Sequence, residues 1–362
     1  MAESAHSRVF RDDLLEGQVC LVSGAGSGLG RETALELARL GAVVVGCGRR
    51  GEPLAETAAM AVHVEPQPLH EPLAGGTPGA RVAVEPIVAG HVDFPEAAMV
   101  SPGGRFVTLK VLRAILRGKP ANTVPVPAFL IRHPSAGAIL VDTGLHPSIA
   151  SDGKENFGAT NNRYGRPTLA AGEDVPAQLR SRGLDPGEVP IVVMTHLHLD
   201  HSSAISEFPR STFVVSEAEW QSAAHGSKPF VNGYRRSHFD YAFDYRTIDF
   251  DRSSVDSYAS FGRTFDLFGD GSIHLAFTPG HSAGHMSVIC RLSQNDFVIG
   301  GDAVYMLSQL EGDAPLAPRP YDAHNLRRSL QELKLFRSQF PDAVITPGHD
   351  PEFYPRLAPR YE

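Results

Sequence analysis

Thr195-His196-Leu197-His198-Leu199-Asp200-His201 is the stretch on which the reading of this chain turns. It continues an apolar run from Pro190 that reads as a buried strand. His196 and His198 are two apart, so where the strand direction persists they project from one side, and Leu197 faces a core on the other. Asp200 and His201 come after the chain has turned and reach a nearby point. One loop thus offers four ligands as two pairs. Imidazole nitrogen and carboxylate oxygen suit divalent zinc, iron, manganese or cobalt.

Working outward, three more candidates stand where strands give way to loops. They are His281 in Thr278-Pro279-Gly280-His281, Asp302 in Gly300-Gly301-Asp302, and His349 in Thr346-Pro347-Gly348-His349. The glycines allow a tight turn to aim each side chain. Seven ligands exceed what one tetrahedral site can use, so two metal ions are expected.

The flanking pattern predicts strands over Phe106–Leu116, Val126–Arg132, Ala138–Val141, Thr212–Val215, Ile273–Phe277 and Val344–Thr346, with a hairpin over Met286–Arg291 and Phe297–Ile299. A short helix is expected over Val175–Arg182. A second, capped by Asp322, places Leu326, Leu330, Leu333 and Phe336 at helical spacing. Such a mixture implies a layered α/β sandwich with mixed sheets.

Bulk properties narrow the function. The 362 residues carry 33 basic and 41 acidic side chains, a formal net charge of −8. No block of Lys and Arg appears, which speaks against nucleic acid as a partner. No run is long enough to span a bilayer, and the polar start of the chain lacks a signal-peptide pattern. Three cysteines make no disulfide framework, so a cytoplasmic, reducing location is expected.

His196, His198, Asp200, His201, His281, Asp302 and His349, in this order, resemble the ligand set of the metallo-β-lactamase superfamily, and Asp142-Thr143-Gly144 resembles that fold's early strand-end turn. The resemblance spans roughly 81–362 and implies an αβ/βα sandwich with its metals at one edge. It implies that His196, His198 and His281 hold the first ion, that Asp200, His201 and His349 hold the second, and that Asp302 bridges them. It further implies a bridging hydroxide as nucleophile, with zinc the expected metal. Asp142 and His285 are expected to support the ligands rather than to join them.

Within that superfamily the sequence resembles the N-acyl-homoserine lactonases, because Tyr305 lies three residues after Asp302. In that subgroup a tyrosine at this offset points its hydroxyl at the lactone carbonyl, where negative charge develops during attack. Asp200 then passes a proton to the departing alkoxide. The expected reaction is opening of the lactone ring, as in quorum quenching, on a small-molecule lactone or ester. Hydrolysis of an aryl ester, an organophosphate or a glyoxalase II-type thioester is the alternative. A second copy of the chain is the protein partner considered. Phe230, Tyr234, Phe239, Tyr241, Phe243 and Tyr245 either wall an acyl channel or pack among themselves, and His225 and His238 are expected at the surface or in a lid.

At the N-terminus, Val19–Ser23, a glycine loop, a helix over Arg31–Leu40 and Ala42–Gly46 form a strand–turn–helix–strand pattern, with another helix possible from Leu54 to Ala61. Gly24, Gly28 and Gly30 resemble the cofactor turn of the short-chain dehydrogenases, a Rossmann-type family, and Arg49 would suit the 2′-phosphate of NADP. No Tyr in the chain has Lys four positions later, so the hydride-transfer pair is missing and NADP is not expected as a working cofactor. An NADP-binding regulatory module is the rival class of function. The expected division is a partial Rossmann unit over 1–62, a Pro/Gly-rich linker over 63–80 and a hydrolase domain over 81–362.

Overall fold

Apolar runs from Ala83 onward build two facing sheets, and the loops at one end of them carry the histidines. The computed structural model describes residues 14–15, 18–40, 42–49, 64–94, 122–158, 161–227, 232–241, 243–252, 255–312, 314–316 and 320–362. The strand expected over Phe106–Leu116 and the helix expected from Leu54 lie outside these residues, as does Phe230.

Ahead of the sheets, β1 (Val19–Ser23) and β2 (Val43–Cys47) pair in parallel, joined by a helix over Gly28–Arg39. This is the strand–helix–strand expected from the sequence. Gly24 and Gly28 take positive φ, and a Cβ on Gly30 would lie 2.3 Å from the Gly24 carbonyl oxygen, so only glycine lets the helix sit this close to the turn. Arg49 follows β2 and is exposed. Val19, Leu21 and Val45 leave one side of the pair exposed to solvent.

The first large sheet holds β3 (Gln67–Pro68), β4 (Ala83–Phe94), β5 (Asn122–His133), β6 (Gly137–Val141), β7 (Arg166–Thr168), β8 (Ile191–Val193), β9 (Thr212–Ser216) and β10 (Asp244–Ile248). Its order is β3-β10-β9-β8-β6-β5-β4-β7. The run β6-β8-β9-β10 is parallel and β4-β5-β6 antiparallel. The second sheet is β11 (Asp256–Tyr258), β12 (Phe261–Asp266), β13 (Ile273–Phe277), β14 (Met286–Arg291), β15 (Asp296–Ile299) and β16 (Val344–Thr346), in sequence order.

A shared core of Phe129, Ile131, Val141, Val193 and Val214 from one sheet against Leu275, Met286, Val288, Phe297 and Ile299 from the other makes them a sandwich. Helices cover the outer faces. Leu179 of the helix Val175–Ser181 packs with Leu140 and Val192, and Leu330, Leu333 and Phe336 of the helix Ala323–Gln339 pack with Ile289 and Val298. Asp322 caps the latter helix through the N–H groups of His324 and Asn325, as its sequence signal indicates.

The described residues 64–80 fall in the stretch expected as a linker. They lie along the sandwich: β3 pairs with β10, the Leu69 and Leu73 N–H groups donate to Thr247 and Leu267, and both leucine side chains pack against the core. Proline and glycine here shape an extended edge segment rather than a loose tether. Among the described residues, no helix is long and apolar enough to cross a membrane.

Candidate metal centre

Five strands deliver the site with their C-terminal ends. β6 ends in Asp142-Thr143-Gly144, β8 in the loop with His196 and His198, β13 in the loop to His281, β15 in Gly301-Asp302 and β16 in Gly348-His349. After His198 the chain turns into a short helix, Leu199–Ser202, which carries Asp200 and His201. Close backbone approach is essential at Gly348, where a Cβ would stand 2.4 Å from the Asp302 carboxylate, and at Gly280, where it would stand 2.1 Å from the Leu326 nitrogen.

All seven candidates converge. His196, His198 and His281 form one donor group, Asp200, His201 and His349 another, and Asp302 joins His196 and His201 in a third. In the first, His281 Nε2 lies 3.2 Å from His196 Nε2 and 2.8 Å from His198 Nδ1. Asp302 spans the groups: Oδ2 is 3.2 Å from His281 Nε2 and from His349 Nε2, and Oδ1 is 3.5 Å from His201 Nε2. Asp200 Oδ2 is 3.5 Å from His349 Nε2.

For three of the five rings the surroundings fix which nitrogen faces inward. His349 Nδ1 donates to the Pro125 carbonyl at 2.9 Å, and His201 Nδ1 to Asp142 at 2.8 Å. His196 Nδ1 donates to the Thr195 hydroxyl, which donates in turn to Asp142. His196, His201 and His349 therefore each turn Nε2 inward, towards the Asp302 carboxylate. His201 Nε2 and Asp302 Oδ1 are buried without a hydrogen-bond partner. The donor set thus fits two divalent ions.

Electrostatics divides the groups. Burial, then the neighbouring imidazoles, pushes His196 well below the usual imidazole range, and burial does the same to His281. Burial opposes charge on His201 and His349 too, but Asp200, Asp142 and Asp302 outweigh it at His201, and Asp302 and Asp200 at His349, so both are raised. Burial also opposes charge on Asp302, yet His349, His281 and His201 hold its carboxyl well below the ordinary range.

A family model for the metallo-beta-lactamase superfamily matches residues 121–349. The chain belongs to that superfamily. N-acyl homoserine lactonase AttM of Azorhizobium caulinodans is 34% identical over 241 residues, 66% of this chain and 87% of that protein. AiiA of Bacillus thuringiensis subsp. kurstaki is 26% identical over 69% of this chain and 92% of that protein. A crystal structure of a B. thuringiensis AiiA variant with N-decanoyl-L-homoserine bound at its active site aligns at a TM-score of 0.61 and 21% identity, over 77% of this chain and 97% of that one. It is therefore the same fold.

Around this superfamily's metal edge the remaining residues sort plainly. Asp142 accepts from the Thr195 N–H, the Thr195 hydroxyl and His201, while His285 Nε2 accepts from the Asp302 N–H, so both support ligands. Tyr305 places its hydroxyl 3.0 Å from His281 Nδ1. Its own N–H is held by Gln309 Oε1, and its carbonyl accepts from the His349 N–H.

Of the aromatics considered for a channel, Phe239 and Tyr245 pack with Trp220 and Phe213 in the core, and Phe243 stacks on Phe213. Among the described ones, Tyr234 packs against a ligand candidate, its ring tilted by 50° and 5.1 Å from that of His198. His225 is exposed, but His238 is buried, with Nε2 3.1 Å from the Asn156 carbonyl oxygen, which corrects the first of its two expected places, the surface or a lid.

Sequence reasoning missed Glu219 and Gln309. The only signal for Glu219 was Ser216-Glu217-Ala218-Glu219, which reads as a helix capping box. Ser216 does cap the Glu219 N–H, yet the glutamate side chain turns to the histidine loops instead.

Proposed function

We propose that the protein hydrolyses the ring ester of N-acyl-homoserine lactones with two divalent ions, zinc being the metal that best suits this nitrogen and carboxylate set. The observation that carries the reading is the Tyr305 hydroxyl beside His281, at the rim of the seven converged ligands. The lactonase names of relatives that the chain covers nearly in full support it.

In this reading His196, His198 and His281 would hold one ion, Asp200, His201 and His349 the other, and Asp302 would contribute to both. Bound there, the ions would supply Lewis-acid polarisation and an acidified water. The chain's own groups do the rest. With its Nε2 lone pair turned inward, His281 donates from Nδ1 to the phenol oxygen of Tyr305. The phenol proton is then the donor that Tyr305 offers to the carbonyl oxygen as charge grows there. When the ring C–O bond breaks, the proton given up by the attacking water passes through the Asp200 carboxylate to the alkoxide. The test is turnover of zinc-loaded protein on homoserine lactones of several acyl lengths beside an aryl ester, a thioester and an organophosphate triester. Preference for any of the last three would overturn the lactone assignment.

We also propose that 1–62 is a Rossmann-type segment without hydride chemistry. It is supported by the parallel strand–helix–strand and by the close seat of Gly30 on Gly24. Titration with NADP, reading fluorescence or heat, tests whether Gly24, Gly28, Gly30 and Arg49 still bind a nucleotide.

A further inference from the structure

Glu219 is completely buried, yet neither metal group includes it. Its carboxylate reaches both loops that bear the three-histidine group. Oε1 accepts from the Leu197 N–H at 3.0 Å, between His196 and His198. Oε2 accepts from the Ser282 hydroxyl at 2.7 Å and the Gly284 N–H at 2.9 Å, just after His281. These three donors are neutral, so they orient the carboxylate without cancelling its charge. The helix Glu217–Trp220 that carries it is pressed against the second loop. Ser216 Oγ donates to the Gly284 carbonyl at 2.6 Å, and a Cβ on Gly284 would stand 2.2 Å from the Glu219 nitrogen.

We infer that Glu219 is a positioning residue for the three-histidine metal site, clamping the loops of His196, His198 and His281 in register and setting a negative charge behind them. The inference rests on the metal reading above. A hydrophobic residue of similar size would leave three buried donors unpartnered and let the two loops drift apart. A carboxylate here also favours a dication in front of it, as outer partners of metal-bound histidines do. The Asp200, His201 and His349 group receives no hydrogen bond from Glu219 and has its own support in Asp142 and Pro125. The effect of Glu219 is thus selective for one site.

The test is cobalt titration of metal-stripped protein against a competing chelator, reading visible absorption, with His198→Ala marking the class of site that belongs to the three histidines. Wild type should take up two ions. Glu219→Gln keeps the size but loses the charge and one acceptor, and should weaken the marked class by about 10- to 100-fold while sparing the other. Ser282→Ala removes one of the three bonds, keeps the charge, and should give a smaller loss in the same class. Unchanged affinity in Glu219→Gln, or equal weakening of both classes, overturns the inference. If Glu219→Gln fails to fold, unchanged affinity of the marked class in Ser282→Ala overturns it. A wild type that takes up no cobalt overturns the metal reading and this inference together.

Discussion

Asp142 Oδ2 lies 2.8 Å from His201 Nδ1, and this contact decides which nitrogen of His201 faces the metal centre. Asp142 holds that position from a left-handed backbone, φ 58°, with its other bonds going to Thr195. Asparagine tolerates this conformation. Asp142→Asn therefore keeps the turn while losing the charge and one acceptor. Metal affinity at the Asp200, His201 and His349 group should fall by about 10- to 100-fold, with turnover falling alongside. Chelator competition on the purified variant checks it, and wild-type affinity would leave Asp142 with only the turn to hold.

Asp302 presents one oxygen 3.5 Å from His201 and the other 3.2 Å from His281, so its carboxylate belongs to both groups at once. Asp302→Ala should reduce the bound metal at both positions and abolish measurable turnover. Elemental analysis after dialysis, paired with a lactone assay, reads both effects. A variant holding two ions at normal rate would remove the bridge.

The two groups should differ in the protons they release. Folding raises the pKa of His201 and His349, so in metal-free protein their contribution to stability is fully present below about pH 6.5. It is lost as pH rises through the raised values. An ion binding there displaces those protons, and its affinity strengthens with rising pH. His196 and His281, held well below the usual range by burial, are already neutral at pH 7 and release none. Calorimetry in two buffers of different ionisation enthalpy should show proton release from one class of site alone. Equal release from both would contradict this division.

Tyr305→Phe should retain the metals, because the phenol sits beside His281 rather than among the inward donors. Loss of an oxyanion donor lowers turnover by about 10- to 1000-fold. The Tyr305 N–H is secured separately by Gln309, so the backbone stays in place. Metal analysis and kcat on the same preparation separate the effects, and an unchanged kcat would make the tyrosine structural.

Most of the site was legible because its ligands sit in local signatures, a His-x-His-x-Asp-His run and three glycine-flanked strand ends. Strands buried on both faces, such as Ile191–Val193, also announce themselves as short apolar runs. The 12-residue Ala83–Phe94 did not, since Glu85, Pro86, Gly90, His91 and Asp93 break its apolar pattern. Glu85 is tolerated there because Arg132 across the ladder pairs with it. Glu219 was invisible for a deeper reason. Its partners lie 22 to 65 residues away, and no local periodicity encodes a contact made by the fold.

The last prediction separates two truncations. Removing 1–62 should leave metal binding and hydrolysis largely intact, because every proposed ligand and Tyr305 lie beyond it. It also takes away the exposed face of Val19, Leu21 and Val45, so light scattering should show less self-association if that face meets a second copy. Removing 1–80 cuts into the sandwich. It strips β3 from β10, uncovers core otherwise packed by Leu69 and Leu73, and frees the edge held by the Thr77 N–H on Asp270. About 1 kcal/mol moves the melting temperature by about 2–4 °C in a domain of this size, so the longer deletion should melt several degrees lower. Equal melting of both truncations would return 64–80 to the status of a tether. An inactive but metal-replete 63–362 protein would show instead that the N-terminal unit shapes the active site.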